Sequence, residues 1–170
     1  MTPPSERTRP ALRPATHADR ERLFHWANDP VARAASFRPA PITAEGHTRW
    51  LDATLGSPAR QLWIVEVEGA PVGMVRLDRD EERPREATVS INLAPEHRGR
   101  RLAAPALHAL ADAARRSGLS RLVAWVRTSN AASAASFRAA GYAADGEHSV
   151  EGIPALRFVL GLEPPPREAR

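Results

Sequence analysis

Three arginines and a glycine crowd the run PEHRGRRLAAPAL, residues 95–107, just ahead of an apolar stretch with helical spacing. The first turn of a helix carries backbone N–H groups with no intrahelical partner, and the helix dipole adds partial positive charge there. A strand that runs straight into such a turn makes a cradle for an anion. Arg98, Arg100 and Arg101 supply charge and donors for phosphate oxygens, and Gly99 allows a close approach or an unusual dihedral. Neither G-x-G-x-x-G nor G-x-x-x-x-G-K-[ST] occurs, so a diphosphate suits the turn better than ATP or a dinucleotide. The competing reading is a solvated helix start in a chain whose 24 basic residues are all arginine.

Several other chemistries lack the residues they need. Cysteine is absent, which removes thiol nucleophiles, thiolate metal sites and disulfides, and fits a reducing compartment. The six histidines show no H-E-x-x-H or related ligand spacing, so no metal site is expected, and no G-x-S-x-G elbow marks a serine hydrolase. No apolar run approaches the roughly 20 residues of a membrane helix, and MTPPSERTRP has no signal-like apolar region. A cytoplasmic protein with no membrane partner is expected. The net charge of +4 favours anionic ligands without requiring nucleic acid.

The elements around the arginine turn follow from periodicity. One domain of 170 residues is expected, spanning about 10–162, with Pro-rich charged tails at 1–9 and 163–170 predicted to be disordered. ALRPA (11–15) reads as a strand, and Thr16 with Asp19 as the start of a helix carrying Leu23, Phe24 and Trp26. A broken piece follows Pro30, and His47, Trp50, Leu51 and Leu55 recur helically from Thr43 to Gly56. Residues 61–79 form a hairpin turning at GAP, and 86–94 a strand with Ala87, Val89, Ile91 and Leu93 on one face. A long helix from about Arg101 to Ser117 ends at Gly118. SRLVAWVRT, NAASAASFRAA and a final pair of strands turning near Gly152 complete the order βααβββαβαββ.

INLAPEHRGRRLA, followed by NAASAASFRAAGY, resembles the GCN5-related N-acetyltransferases. The resemblance implies an α/β fold: a mixed, mostly antiparallel central sheet with a splayed parallel pair and about four flanking helices. It also implies acetyl-CoA as co-substrate. A loop of the type Q/R-x-x-G-x-G/A falls on Arg98, Gly99, Arg100, Arg101, Leu102 and Ala103, and the asparagine that contacts the cofactor falls on Asn130. Backbone groups of Ile91, Asn92 and Leu93 would pair with the pantetheine arm and polarise the thioester carbonyl. Three positions depart from the pattern. Arg101 replaces the middle glycine, Phe137 stands where many members carry a tyrosine acid, and Trp125 where some carry a glutamate base.

Amine acetylation needs a neutral amine, so a proton acceptor must lie within reach. Glu86 is the first candidate and His47 the second, against readings as a water-facing edge charge and a packed histidine. Ser133 and Ser136 are candidates to protonate the thiolate. LFHWANDPVARAASF and ITAEGHTRW resemble, more narrowly, the branch of ribosomal-protein N-terminal and pseudaminic-pathway amino-sugar acetyltransferases. In that branch the two early helices wall the acceptor site, which implies a pocket of Trp26, Asn28, Asp29, Arg33, Phe37, His47 and Trp50. The alternative for both tryptophans is a role as core anchors.

The expected activity is direct transfer of an acetyl group to a primary amine of a small molecule, an amino sugar or natural-product intermediate. Three alternatives stay open: an acyl donor on a carrier protein or tRNA, a protein N-terminal acetyltransferase, and a non-catalytic CoA-binding module. A homodimer through the last strands is a further expectation.

Overall fold

The computed structural model describes residues 9–163. After the strand β1 (Ala11–Pro14), Thr16 and Asp19 do form a reciprocal cap, the Asp19 carboxylate accepting from Thr16 N at 2.9 Å, but over a short 3-10 turn, His17–Asp19. That turn runs directly into α1 (Arg20–Asn28). The broken piece after Pro30 is a helix of its own, α2 (Pro30–Ala35). Asp29 accepts from Ala32 N at 3.1 Å to cap it, and Pro30 sits in its first turn, where a missing N–H costs nothing. With α3 (Ala44–Leu55), capped by Thr43, the chain therefore has three helices before the main sheet and five in all among the described residues, against the four expected.

Strands β2 (Arg60–Val67) and β3 (Ala70–Arg79) form the expected hairpin, but its turn is Glu68–Gly69. Both residues have positive φ, 52° and 78°, the backbone that a two-residue turn between twisted strands demands, so Ala70 and Pro71 already belong to β3. There follow β4 (Glu86–Leu93), α4 (Ala103–Arg116), β5 (Arg121–Arg127), α5 (Ala131–Ala139), β6 (Ala143–Val150) and β7 (Ile153–Gly161). Helix α4 begins two residues later than expected. Arg101 has φ 58°, and a left-handed residue cannot continue a right-handed helix.

The strands form one seven-stranded sheet, β1-β2-β3-β4-β5-β7-β6, in which only β4 and β5 are parallel. Side-chain alternation divides its two faces. Val65, Val75, Leu77, Val89, Leu122, Ala124 and Phe158 pack with α4 and α5 on one face. On the other, Leu62, Ile64 and Met74 meet Leu23, Trp26 and Leu51 of α1 and α3. Tyr142 is buried on the α5 side, edge-on to Phe137 at 5.0 Å, with no partner for its hydroxyl among the described residues. Burial pushes that phenol well above its ordinary value, so it is a core ring. Among the described residues no helix is long and apolar enough to cross a membrane, and no cluster of His, Asp or Glu could hold a metal ion.

Candidate active site

The parallel pair is short. Glu86, Ala87 and Thr88 of β4 pair with Arg121, Leu122 and Val123 of β5, and the ladder ends there. Beyond it β4 stays paired to β3 as far as Leu93, and β5 to β7 as far as Arg127. Each of the diverging strands thus keeps one edge paired and turns the other, with its N–H and C=O groups, toward an opening. Such groups need partners, and an extended amide-bearing chain laid between them supplies these.

At the top of this slot β4 passes through a 3-10 turn, Pro95–His97, into the arginine loop. Gly99 (φ 74°) and Arg101 (φ 58°) both adopt the left-handed backbone, which turns successive N–H groups inward. Arginine keeps here the conformation a glycine takes freely, at a cost of about 1 kcal/mol. Leu102 precedes α4 without any side-chain cap, so the first N–H groups of the helix have no capping partner. Arg98 is committed elsewhere. Its Nη1 donates to Asp29 Oδ2 at 2.7 Å and its Nη2 to Asn92 Oδ1 at 3.5 Å, and Asn92 Nδ2 donates to Trp26 O at 2.9 Å. The loop is thereby tied to the corner between α1 and α2.

On the α1–α3 side of the sheet, below the divergence, lies a groove of about 480 Å³. Thr88, Val89 and Ser90 of β4 form its floor with Trp125 of β5. Phe37, just after α2, and Ser149 with Val150 at the β6–β7 turn form its walls. Arg127 holds α2 over it by donating to Ala34 O, and Arg38 closes the rim with a two-pronged bond to Glu151, the shortest contact 2.6 Å. Ser90 is followed directly by Ile91, Asn92 and Leu93, so groove and slot meet on one strand.

Residues 9–143 match the family model of the acetyltransferase (GNAT) domain. The chain belongs to the GNAT acetyltransferases. No curated protein sequence matches it. Among solved structures, spermidine N-acetyltransferase from Vibrio cholerae in complex with CoA and spermine has a TM-score of 0.80 at 17% identity, covering 91% of this chain and 96% of that one. The aminoglycoside acetyltransferase AAC(6')-Ib in complex with coenzyme A gives 0.79 at 19% identity, covering 89% and 94%. The ribosomal L7/L12 α-N-protein acetyltransferase RimL in complex with CoA gives 0.78 at 17% identity, covering 94% and 97%. The fold is shared with all three.

Several residues singled out from the acetyltransferase's sequence lie outside the groove's lining, Glu86 among them. It stands at the far end of β4, about 16 Å along the strand from Ile91, and its carboxylate is near Arg83 at 3.5 Å. His47 is also removed from the groove, buried to 3% exposure between Phe24 and Trp50 at ring distances of 5.5 and 5.1 Å. Asn28 and Arg33 serve the chain itself. The Asn28 amide is bonded both ways to the Ile42 backbone at 2.7 and 2.8 Å, while Arg33 donates to Ala27 O at 2.6 Å and Arg38 O at 2.8 Å. Together they pin the segment 36–42 that brings Phe37 to the groove. Trp26 is a core anchor at 8% exposure, and Trp50 packs on the same cluster with Arg76 over its ring at 5.5 Å. Asn130 caps α5, accepting from Ser133 N at 3.1 Å, and the Ser136 hydroxyl donates to Ala132 O. Thr88 and Ser90 were not singled out, although their signal was present: with Asn92 they alternate with the apolar face of β4 and must point the other way.

Neither ring nitrogen of His47 has a hydrogen-bond partner among the described residues. Burial, and secondarily the charge of Arg20, pushes its pKa below the ordinary value. The unfolded chain therefore takes up a proton near pH 6.5 that the folded state refuses, so stability falls as pH drops through this range, by at most about 1.4 kcal/mol per pH unit. His47→Phe is expected to flatten this acid slope, read as the difference in urea midpoints between pH 7.5 and pH 5. An unchanged slope would assign the acid sensitivity to other groups.

Proposed function

We propose that the acetyltransferase moves an acetyl group from acetyl-CoA to a primary amine of a small molecule by direct attack, without a covalent enzyme intermediate. The observation that carries this reading is the pair of unpaired strand edges beyond Thr88 and Val123, which lead into an arginine loop and an uncapped helix start. These residues fit the cofactor. An extended pantetheine arm matches the slot, and a diphosphate matches the N–H groups of residues 99–104 with Arg100 and Arg101 beside them. Acetyl-CoA supplies an acyl carbon already activated as a thioester.

The chain's own groups do the rest. Backbone N–H groups near Ile91–Leu93 polarise the carbonyl, acting as fixed dipoles that need no reorganisation. The groove holds the amine against the same strand, turning an encounter into an oriented attack. For the proton, His148 takes the role first given to Glu86. Its Nε2 lies 3.0 Å from Asp145 O, a carbonyl that can only accept, so Nε2 is the donor in that contact and Nδ1 is the nitrogen left to handle a proton. The ring stands edge-on to Trp125 at 5.3 Å, beside the groove that Trp125 lines. His148→Ala is expected to lower kcat/KM about 10²-fold at pH 7, less at pH 9, where hydroxide and free amine compensate. A profile parallel to wild type would remove His148 from the reaction.

The donor site is tested by Ala103→Glu. A glutamate in the first turn of α4 favours the helix, so the fold is retained, yet it sets a carboxylate where phosphate would sit. CoA affinity by calorimetry is expected to fall at least about tenfold with an unchanged melting midpoint. Wild-type affinity would overturn the placing of the diphosphate.

A further inference from the structure

The charges around the groove single out one class of acceptor, given that the groove is the amine site just proposed. None of its lining residues is acidic. Three carboxylates around it each hold an arginine: Glu151 holds Arg38 at 2.6 Å, Asp78 holds Arg76 at 2.8 Å, and Asp145 holds Arg157. Arg38 keeps Glu151 well below the usual carboxylate range, so it stays ionised and occupied. Guanidinium groups, by contrast, touch two of its lining residues. Arg157 lies 5.8 Å from the centre of the Trp125 ring, and Arg76 reaches the Ser90 hydroxyl at 3.4 Å. A polyamine or aminoglycoside brings several ammonium groups and would have to desolvate them with no acidic side chain in the lining as partner. The surfaces that remain are two aromatic rings, the Val150 side chain, the Val89 backbone and three hydroxyls.

We infer that the groove takes a primary amine carried on a flat, apolar body with no second cationic centre, an arylalkylamine in chemical terms, and that Trp125 and Phe37 determine this specificity. The body lies against the Trp125 ring under Phe37, where aromatic contact and exclusion of water favour it. The hydroxyls of Thr88, Ser90 and Ser149 accept from the amine while it faces the carbonyl beside Ile91. The nitrogen lone pair forms the bond to the acyl carbon and the C–S bond breaks. The sulfur leaves with that electron pair, and the proton lost by nitrogen is balanced by the one the thiolate takes up to become a thiol.

The test compares 2-phenylethylamine and tryptamine with spermidine and kanamycin in two measurements. Release of free thiol from acetyl-CoA gives kcat/KM, and saturation-transfer NMR of the protein without cofactor ranks the bare amines. The arylalkylamines are expected to lead by at least tenfold in kcat/KM and to show the stronger transfer. Trp125→Ala is expected to raise their KM at least tenfold while CoA affinity stays at the wild-type value, and Trp125→Phe to restore most of the loss. Ser149→Glu, which adds the missing carboxylate, is expected to move preference toward spermidine. A lead for spermidine or kanamycin, or no turnover of either arylalkylamine by a protein that binds CoA, overturns the acceptor class. Failure to bind CoA would sink the donor reading instead, and the NMR ranking then decides the acceptor class by itself.

Discussion

Replacing Gly73 with alanine is expected to cut kcat/KM about 10²-fold while costing about 1–3 kcal/mol of stability. Gly73 lies in β3 directly opposite Leu93, the last residue of β4. A Cβ there would stand 2.6 Å from Asn92 O and 2.9 Å from Leu93 Cα, both backbone atoms that cannot rotate away. One strand must move. From Val89 to Leu93, the β4 backbone is laddered to β3 alone, because its pairing with β5 ends at Thr88. The cheaper displacement therefore pushes the end of β4 into the slot, where its N–H groups would meet the thioester. Urea unfolding measures the first effect and thiol release the second. Wild-type turnover in a measurably destabilised variant would show that the carbonyl is polarised somewhere other than the end of β4.

What could be read in the sequence was what local chemistry controls. Gly118 ends α4, the period of Ala87, Val89 and Ile91 defines β4, and Gly99 takes an unusual dihedral as expected, because each of these depends on neighbours a few residues away. The order of elements followed from the same signals. The arrangement of the groove did not, because it depends on register and on contacts across the chain. Phe37 reaches the sheet only because Asn28 and Arg33 use their side chains to fasten the loop behind it, a role that composition cannot distinguish from binding a ligand. Trp125 and Ser149 come together through the pairing of β5 with β7 and of β7 with β6. His47 and Trp50 have helical spacing that serves a core as well as a pocket, and the sheet beneath them decided for the core. Glu86 shares a strand with the residues expected to polarise the carbonyl, yet the length of that strand sets it about 16 Å from Ile91.

The tie between Arg98 and Asp29, separated by 69 residues, carries the second large expectation. Asp29 caps α2 and accepts from Arg98, and its side chain is 14% exposed. Burial alone would raise the pKa of this carboxyl, but the Arg98 guanidinium and the Ala32 N–H outweigh it and hold the value below the ordinary range. Arg98→Ala leaves an ionised, mostly buried carboxylate without its cation, at a cost of about 2 kcal/mol. It also frees the α1–α2 corner, and with it Phe37. Stability, CoA affinity and amine KM are therefore expected to worsen together, the two binding terms by about tenfold each. The sign of the pH dependence separates this account from a simple phosphate contact. A depressed carboxyl pKa contributes stability above the unfolded value near 3.9 and loses it as pH falls through the folded value, so the gap between wild type and Arg98→Ala should be full at pH 7 and close below pH 4. An arginine that served only the diphosphate would leave apo stability unchanged at every pH. The Asp29→Asn variant decides the matter. With Arg98 intact but its partner uncharged, stability and CoA affinity should fall together, and wild-type CoA affinity in a destabilised variant would mean that Arg98 serves the phosphate without the tie.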